Sequence, residues 1–266
     1  MILDKIVERA LAFDLDGLRI IDMCVGHPYT YVIVGDHGGV EAMGVALTPL
    51  VEASDYEVWN PPRVLESSLK EVIQLSTSTH MFERALGVAA INAVSQYVLR
   101  DELEDLSIGM SAIEILEEEG VSTVGVIGYM KPLVDKLKKN DFKVMVFERS
   151  ILWRHGEALS DCLEPRILPK VEALVITGAA LLNDTLDMVL SHATNSRINI
   201  LAGPTAQQHP LLLKGLKINY VQSSLILNVE RARRLLKITA WRKALFGKET
   251  SKTYTLKLKA EAGGRS

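Results

Sequence analysis

Apolar and polar positions alternate at helical spacing from Ile2 to Leu11, which predicts a short amphipathic helix. Three β-like runs follow closely, RIIDMCVG, YTYVIVG and VEAMGVAL. They are broken by His27-Pro28 and by Asp36-His37-Gly38-Gly39. The second break is a good hairpin turn, because glycine tolerates positive φ. Strands so closely spaced predict an antiparallel meander. After an NPPR break, Leu65 to Leu75 and Phe82 to Leu99 read as helices. The second is rich in alanine, with Leu86, Ala90, Ala93 and Tyr97 along one face.

From about Ser111 the rhythm changes. VSTVGVIGY, FKVMVFER, VEALVITG, INILAGP and INYVQ read as strands, while PLVDKLKKN and NDTLDMVLSHA read as helices. Such alternation predicts a parallel sheet covered on both faces. The expected fold class is therefore α/β, with an α+β domain over residues 1–105 and a Rossmann-like domain over 106–248. Residues 249–266 are expected to be a C-terminal tail, frayed at its final EAGGRS.

Three junctions of the second half share a design. Gly128 ends the strand in VIGYMKP, Gly178 the one in ITGAALLND, and Gly203-Pro204 the one in LAGPTAQ. In a parallel sheet the carboxyl ends of all strands face one way, so these loops are expected on one edge. Glycine there lets a ligand approach the backbone, and that edge is where open α/β sheets bind small molecules. Each glycine is also what an ordinary tight turn uses, and Asn183 or Asp184 is a serviceable helix cap. The three together predict a cleft but no particular chemistry.

Composition narrows the function classes without naming one. The chain has 266 residues, 48% hydrophobic and 24% charged, with a net charge of −3, which suits an ordinary globular protein of one large or two smaller domains. Its two cysteines, Cys24 and Cys162, are far apart and form no CxxC pair, as expected of a reducing cytoplasmic location. No signal peptide and no apolar run long enough to span a membrane are expected. Basic residues crowd Val229 to Lys259, but Leu235, Ile238, Trp241 and Leu245 recur through that stretch at helical spacing. It reads as the solvated face of a helix, and nucleic acid is not an expected partner. A homodimer is the default assembly on base rates alone. GxGxxG, the Walker A lysine, GxSxG and HExxH are all missing, so dinucleotide, P-loop, serine-hydrolase and zincin chemistries lack their signatures.

VGVIGYMKPLVDKL, LPKVEALVITGAALLNDTLDMVL and INILAGPTAQQHPLLLKGL, in this order and spacing, resemble the putative heavy-metal chelation family, whose function is unknown. GGVEAMGVALTP and RALGVAAINAVSQ are similar to that family's N-terminal hairpin and helix. The resemblance implies an enolase N-terminal-like domain, a Rossmann-like domain and a site between them. Matching positions are Asn92, Gly128, Thr177, Gly178, Asn183, Thr185, Gly203 and Pro204. Ala179-Ala180 depart from the family's hydroxyl residues, and Asp184 stands where a lysine is common. Asp184 would favour a cation or a hydroxyl-bearing ligand instead.

A divalent heavy metal is the cofactor or cargo this resemblance implies. The residues themselves supply His27, Asp36, His37, Glu41, His80, His155, Cys162 and His209, with none of the compact spacings of structural zinc sites. His209 is the best of them, because its loop follows the Gly-Pro turn and is expected to face the cleft. Glu41 is the candidate general base. The function expected is the binding or processing of a metal or a metal-chelating small molecule in an interdomain cleft. The alternative is a transferase or lyase using a nucleotide-type cofactor at the sheet edge, so enzyme activity stays open.

Overall fold

The computed structural model describes residues 1–51, 61–238 and 242–258. Asn60 of the NPPR break, Trp241, Lys259 and the EAGGRS stretch lie outside the described residues. The chain opens with α1 (Ile2–Leu11), then β1 (Arg19–Cys24), β2 (Tyr29–Gly35) and β3 (Glu41–Leu47). Next come α2 (Pro61–Leu65), α3 (Leu69–Gln74) and α4 (Met81–Leu106). The second half runs α5 (Ala112–Glu118), β4 (Thr123–Ile127), α6 (Lys131–Lys139), β5 (Lys143–Phe147), α7 (Glu164–Ile167) and β6 (Ala173–Thr177). It continues with α8 (Ala179–Leu182), α9 (Leu186–His192), β7 (Ile198–Ala202), β8 (Tyr220–Ile226), α10 (Val229–Lys237), α11 (Arg242–Leu245) and β9 (Ser251–Lys257).

Helix α1 has the predicted bounds and buries Leu3, Ile6, Val7 and Ala10, a single stripe. Strands β1, β2 and β3 form the antiparallel meander, with Tyr29 opposite Leu47 and Gly35 opposite Glu41. Asp36 closes the β2–β3 turn by accepting the Val40 amide at 2.9 Å and the Tyr97 hydroxyl at 2.7 Å. Every residue of β2 is buried, so this sheet is covered on both sides. Val32, Val34, Ala42 and Ala46 pack toward α4. Tyr31, Ile33, Met43 and Val45 pack against Ala232, Leu236 and Leu245 of α10 and α11.

The basic helix is thus a lid on the N-terminal sheet. Its buried positions are Ala232 and Leu236, whereas Ile238, which the sequence pattern put on the apolar face, is 74% exposed. Arg233 and Arg234 pair with Glu230, and Arg231 pairs with Glu249.

Helix α4 extends beyond its predicted end at Leu99 and is buried on all sides from Ala85 to Gln96. Small side chains make that packing feasible, and an all-round apolar helix belongs in a core. It lies between the two sheets, touching β2 and β3 on one side and β8 and β9 on the other.

The C-terminal sheet has the order β5-β4-β6-β7-β8-β9, parallel except for β9, which pairs antiparallel with β8 from Tyr220↔Lys257 to Ile226↔Ser251. Ile115, Leu116, Val134 and Leu137 of α5 and α6 cover one face. Leu181, Leu182, Leu186 and Val189 of α8 and α9, with α4, cover the other. Strand β9 corrects the expected tail: Tyr254 and Leu256 are buried at 2% and 0% exposure. Its alternation was hidden among lysines and threonines, and pairing with β8 supplied the missing reason to be a strand.

Candidate functional site

Strand order reverses at β4, from which the chain goes out to β5 and returns on the other side to β6. The crevice beyond the carboxyl ends of β4 and β6 is the switch point where such sheets bind ligands. A cavity of about 340 Å³ opens there. Its walls are the loop after β4 (Gly128, Tyr129, Met130), the loop after β5 (Glu148, Arg149, Ser150, Trp153) and the segment after β6 (Thr177, Ala179, Ala180, Leu182, Asn183, Thr185). The N-terminal layer closes it with His27, Pro28 and Leu47 to Val51, and Asp161 and Glu164 come from the approach to α7.

Local chemistry explains the loop shapes. Gly128 has φ +85, and a Cβ there would lie 2.7 Å from Thr177 Cγ2, so the turn needs glycine on both counts. Glu148 ties its own loop to the one after β4 by accepting the amides of Ser150 at 2.9 Å and Tyr129 at 2.8 Å. Arg149 Nε donates to Asp161 Oδ2 at 3.0 Å. Burial pushes the Asp161 carboxyl up, but the hydrogen bond and charge of Arg149 outweigh it and hold the group below its ordinary range.

Glu164 is the most strongly perturbed carboxyl among the described residues of the cavity. It is 2% exposed, and its Oε2 is buried without a hydrogen-bond partner among the described residues. Burial, and then the negative charge of Asp161, push its carboxyl up to about 7, with Arg149 opposing. A carboxyl poised near neutrality in a cavity is suited to giving or taking a proton. Sequence reasoning passed over this residue. In SDCLEP nothing but the following proline marks it, and spacing carries no sign of burial.

Of the sequence-predicted residues, Gly128, Thr177, Asn183, Thr185 and the candidate ligand His27 line the cavity together. Gly178 stands behind that wall, where a Cβ would meet the Ala206 amide nitrogen at 2.4 Å. Asp184 has φ +55 and is not among the lining residues; burial raises its pKa, opposed by Arg84 and supported by Asp187 and Asp4. Glu41 starts β3, while only the Leu47 end of that strand reaches the cavity. Six residues of strand place it about 20 Å away.

The third junction is filled by the protein itself. Thr205 Oγ1 accepts the Leu47 amide at 3.0 Å and Gln207 Oε1 accepts the Val45 amide at 2.9 Å. Asn92 Nδ2 donates to the carbonyls of Val45 at 2.8 Å and Thr205 at 2.9 Å, and Gln208 Nε2 donates to Asn92 Oδ1 at 2.5 Å. Asn92 therefore belongs to a buried polar seam with Thr205, Gln207 and Gln208, which ties β3 and α4 to the turn after β7. Half-buried Gly203 and Pro204 open that turn and are not among the lining residues of the cavity.

His209 is held in the same seam, 3% exposed. Its Nδ1 accepts the Leu211 amide at 3.2 Å, which leaves Nε2 to donate to Glu102 at 3.1 Å. With both ring nitrogens engaged it offers no lone pair to a metal, and the expectation that its loop faces the cleft is corrected. Among the described residues no three His, Cys, Asp or Glu side chains converge as a metal-binding group.

Two family models described as putative heavy-metal chelation match residues 8–95 and 111–255. An uncharacterized protein of Methanocaldococcus jannaschii is 38% identical over 263 residues, 97% of this chain and 98% of that protein. A crystal structure of a protein of unknown function from Pyrococcus horikoshii matches with a TM-score of 0.86 and 34% identity, over 97% of this chain and 100% of that one. Another, from Desulfitobacterium hafniense, matches at 0.75 and 17% identity over 96% and 98%, a likeness of fold alone.

Proposed function

The chain belongs to the putative heavy-metal chelation family, and from that premise we propose that it binds a small metal-chelating organic molecule, free or metal-loaded, in the cavity between its two layers. The observation that carries this reading is the cavity's position, at the switch point of a parallel sheet and closed by the N-terminal layer. In this reading Gly128 gives the ligand access to the backbone, and Thr177, Asn183 and Thr185 offer it hydrogen bonds. The C-terminal layer is read as Rossmann-like and the N-terminal one as enolase N-terminal-like.

The donor set does not fit a heavy metal held by protein alone. Soft metals favour thiolates and imidazoles, but Cys24 is half-buried on β1 and Cys162 is exposed beside α7. His27 lines the cavity, but among the described lining residues no second imidazole and no thiol joins it, and His209 is committed elsewhere. The donors for the metal are therefore assigned to the organic ligand, and the protein supplies shape and polarity.

Thermal unfolding tests the assignment, with divalent metal salts, chelators and their complexes added separately. A ligand at 100 times its Kd adds about 2.7 kcal/mol. That corresponds to a Tm rise of roughly 2–4 °C per kcal/mol in a chain of this size. The expected result is a rise with a chelator or its complex that Ala180→Trp abolishes by filling the cavity. A saturable rise with a metal salt alone, unchanged in Ala180→Trp, overturns the reading.

The second reading is an enzyme, a transferase or lyase with a nucleotide-type cofactor at this sheet edge. Glu164, a carboxyl with a pKa of about 7, favours a reaction. Among the described residues three cavity carboxyls, Glu148, Asp161 and Glu164, against Arg149 weigh against a phosphate-bearing cofactor. Either activity is placed in a reducing cytoplasm, supported by the free thiols of Cys24 and Cys162.

A further inference from the structure

Among the described residues three carboxyls line the cavity, and they are not equivalent. Glu148 already receives two backbone amides, and Asp161 receives Arg149 Nε at 3.0 Å and the Cys162 amide at 3.1 Å. Glu164 is more deeply buried than either, and its Oε2 has no partner among the described residues. A carboxyl left unsatisfied at such depth is unfavourable, and Glu164 is among the residues that line the cavity, so a bound molecule that satisfies the group gains by the difference.

The surroundings limit what that molecule can be. Arg149 is held by Asp161, so an incoming anion would face Glu148, Asp161 and Glu164 with the positive charge already engaged. Much of the remaining wall is apolar, with Ile127, Met130, Leu182 and Met188, and Tyr129 and Trp153 offer aromatic rings. A neutral base fits these walls on entry and becomes a cation only once it meets the carboxyl.

Resting on the cavity reading above, we infer that Glu164 exchanges a proton with a basic nitrogen of the bound molecule, which places the ligand among small, flat, largely apolar nitrogen bases. Below about pH 7 the proton comes from the Glu164 carboxyl, whose O–H bond breaks as the nitrogen lone pair forms an N–H bond. Above about pH 7 Glu164 is already a carboxylate and the proton is taken up from solvent, and in neither case do electrons leave either partner. The product is a carboxylate–cation pair joined by a charge-assisted hydrogen bond in a desolvated site. Asp161 and Arg149 are the charged groups acting on Glu164, with Glu148, His27 and Tyr129 on the other walls. A nitrogen protonated in this way has no lone pair for a metal, so the contact selects the metal-free form of a chelator.

The test uses the full chain with benzimidazole and indole, bicycles of one shape that differ in a basic ring nitrogen. Titration calorimetry is run at pH 8 in two buffers of different ionisation heat. The expected result is that benzimidazole binds at least tenfold more tightly than indole, with a heat that depends on the buffer because a proton is taken up. Glu164→Gln is expected to lose both the tenfold preference and the buffer dependence while indole affinity stays the same. The proton count on the natural chain decides the matter even if that variant folds poorly. Equal affinities with no proton uptake overturn this inference and leave the cavity reading standing. Binding of neither bicycle overturns the cavity reading, and this inference with it.

Discussion

The side-chain carbonyl of Gln207 accepts the backbone amide of Val45 at 2.9 Å, across 162 residues of chain. With Asn92 donating to the Val45 carbonyl, one residue of β3 has both backbone groups satisfied by side chains rather than by another strand. The β3 edge of the three-stranded sheet is thereby closed at Val45, and the two sheets are held at a set distance around the cavity.

Replacing Asn92 by leucine removes one side chain but strands three partners: the carbonyls of Val45 and Thr205, and Gln208 Nε2. Each buried group left unpaired costs about 1–3 kcal/mol. Asn92→Leu is expected to lower stability by roughly 3 kcal/mol or more, read as a Tm lower by about 6–12 °C. A fall of a degree or less would mean that the seam does not hold the layers together.

At Gly178 the neighbours are backbone atoms: an added Cβ would lie 2.4 Å from Ala206 N and 2.6 Å from Thr205 C. Neither can move without shifting the turn after β7. Gly178→Ala is expected to destabilise by about 1–3 kcal/mol, as overpacking does. A lower urea midpoint with an unchanged m-value is the measurement that checks it.

Glu164 makes stability depend on pH in a stated direction. Its pKa rises from the ordinary 4.5 to about 7 on folding, so the folded chain holds the proton to higher pH than the unfolded chain does. The group's contribution is complete below about pH 4.5 and is lost as pH rises to 7, a change of at most about 3 kcal/mol. Glu164→Gln stays neutral throughout. Its Tm is expected to exceed that of the natural chain by several degrees at pH 8 and to match it closely at pH 5. A pH-independent difference would deny the raised pKa.

Tyr254 tests whether β9 belongs to the fold. It is 2% exposed, and its hydroxyl meets Gln96 Nε2 at 3.4 Å. Tyr254→Ala is expected to lose about 3–5 kcal/mol, as large buried aromatics do. Ending the chain before Ser251 is expected to leave it aggregating, with the edge of β8 uncovered. Unaltered solubility and Tm in the shortened chain would return this segment to the status of a tail.

Sequence periodicity and turn chemistry determined much by themselves. They set the bounds of α1, the three-stranded meander, the strand–helix alternation after Ser111, and the glycine junction at Gly128 that lines the cavity. Those features are local, because a stripe at helical spacing or a turn requiring positive φ is specified within a few residues. Only the tertiary structure decided that α4 is buried on all sides, that Ser251–Lys257 is a strand, and that Asn92 and His209 stand in a seam rather than a site. The partners of Asn92 and His209 lie as far as 116 residues away in sequence. Glu164 is the plainest case. Its chemistry comes from desolvation and from the charges of Asp161 and Arg149, and these exist only once the strands have been brought together.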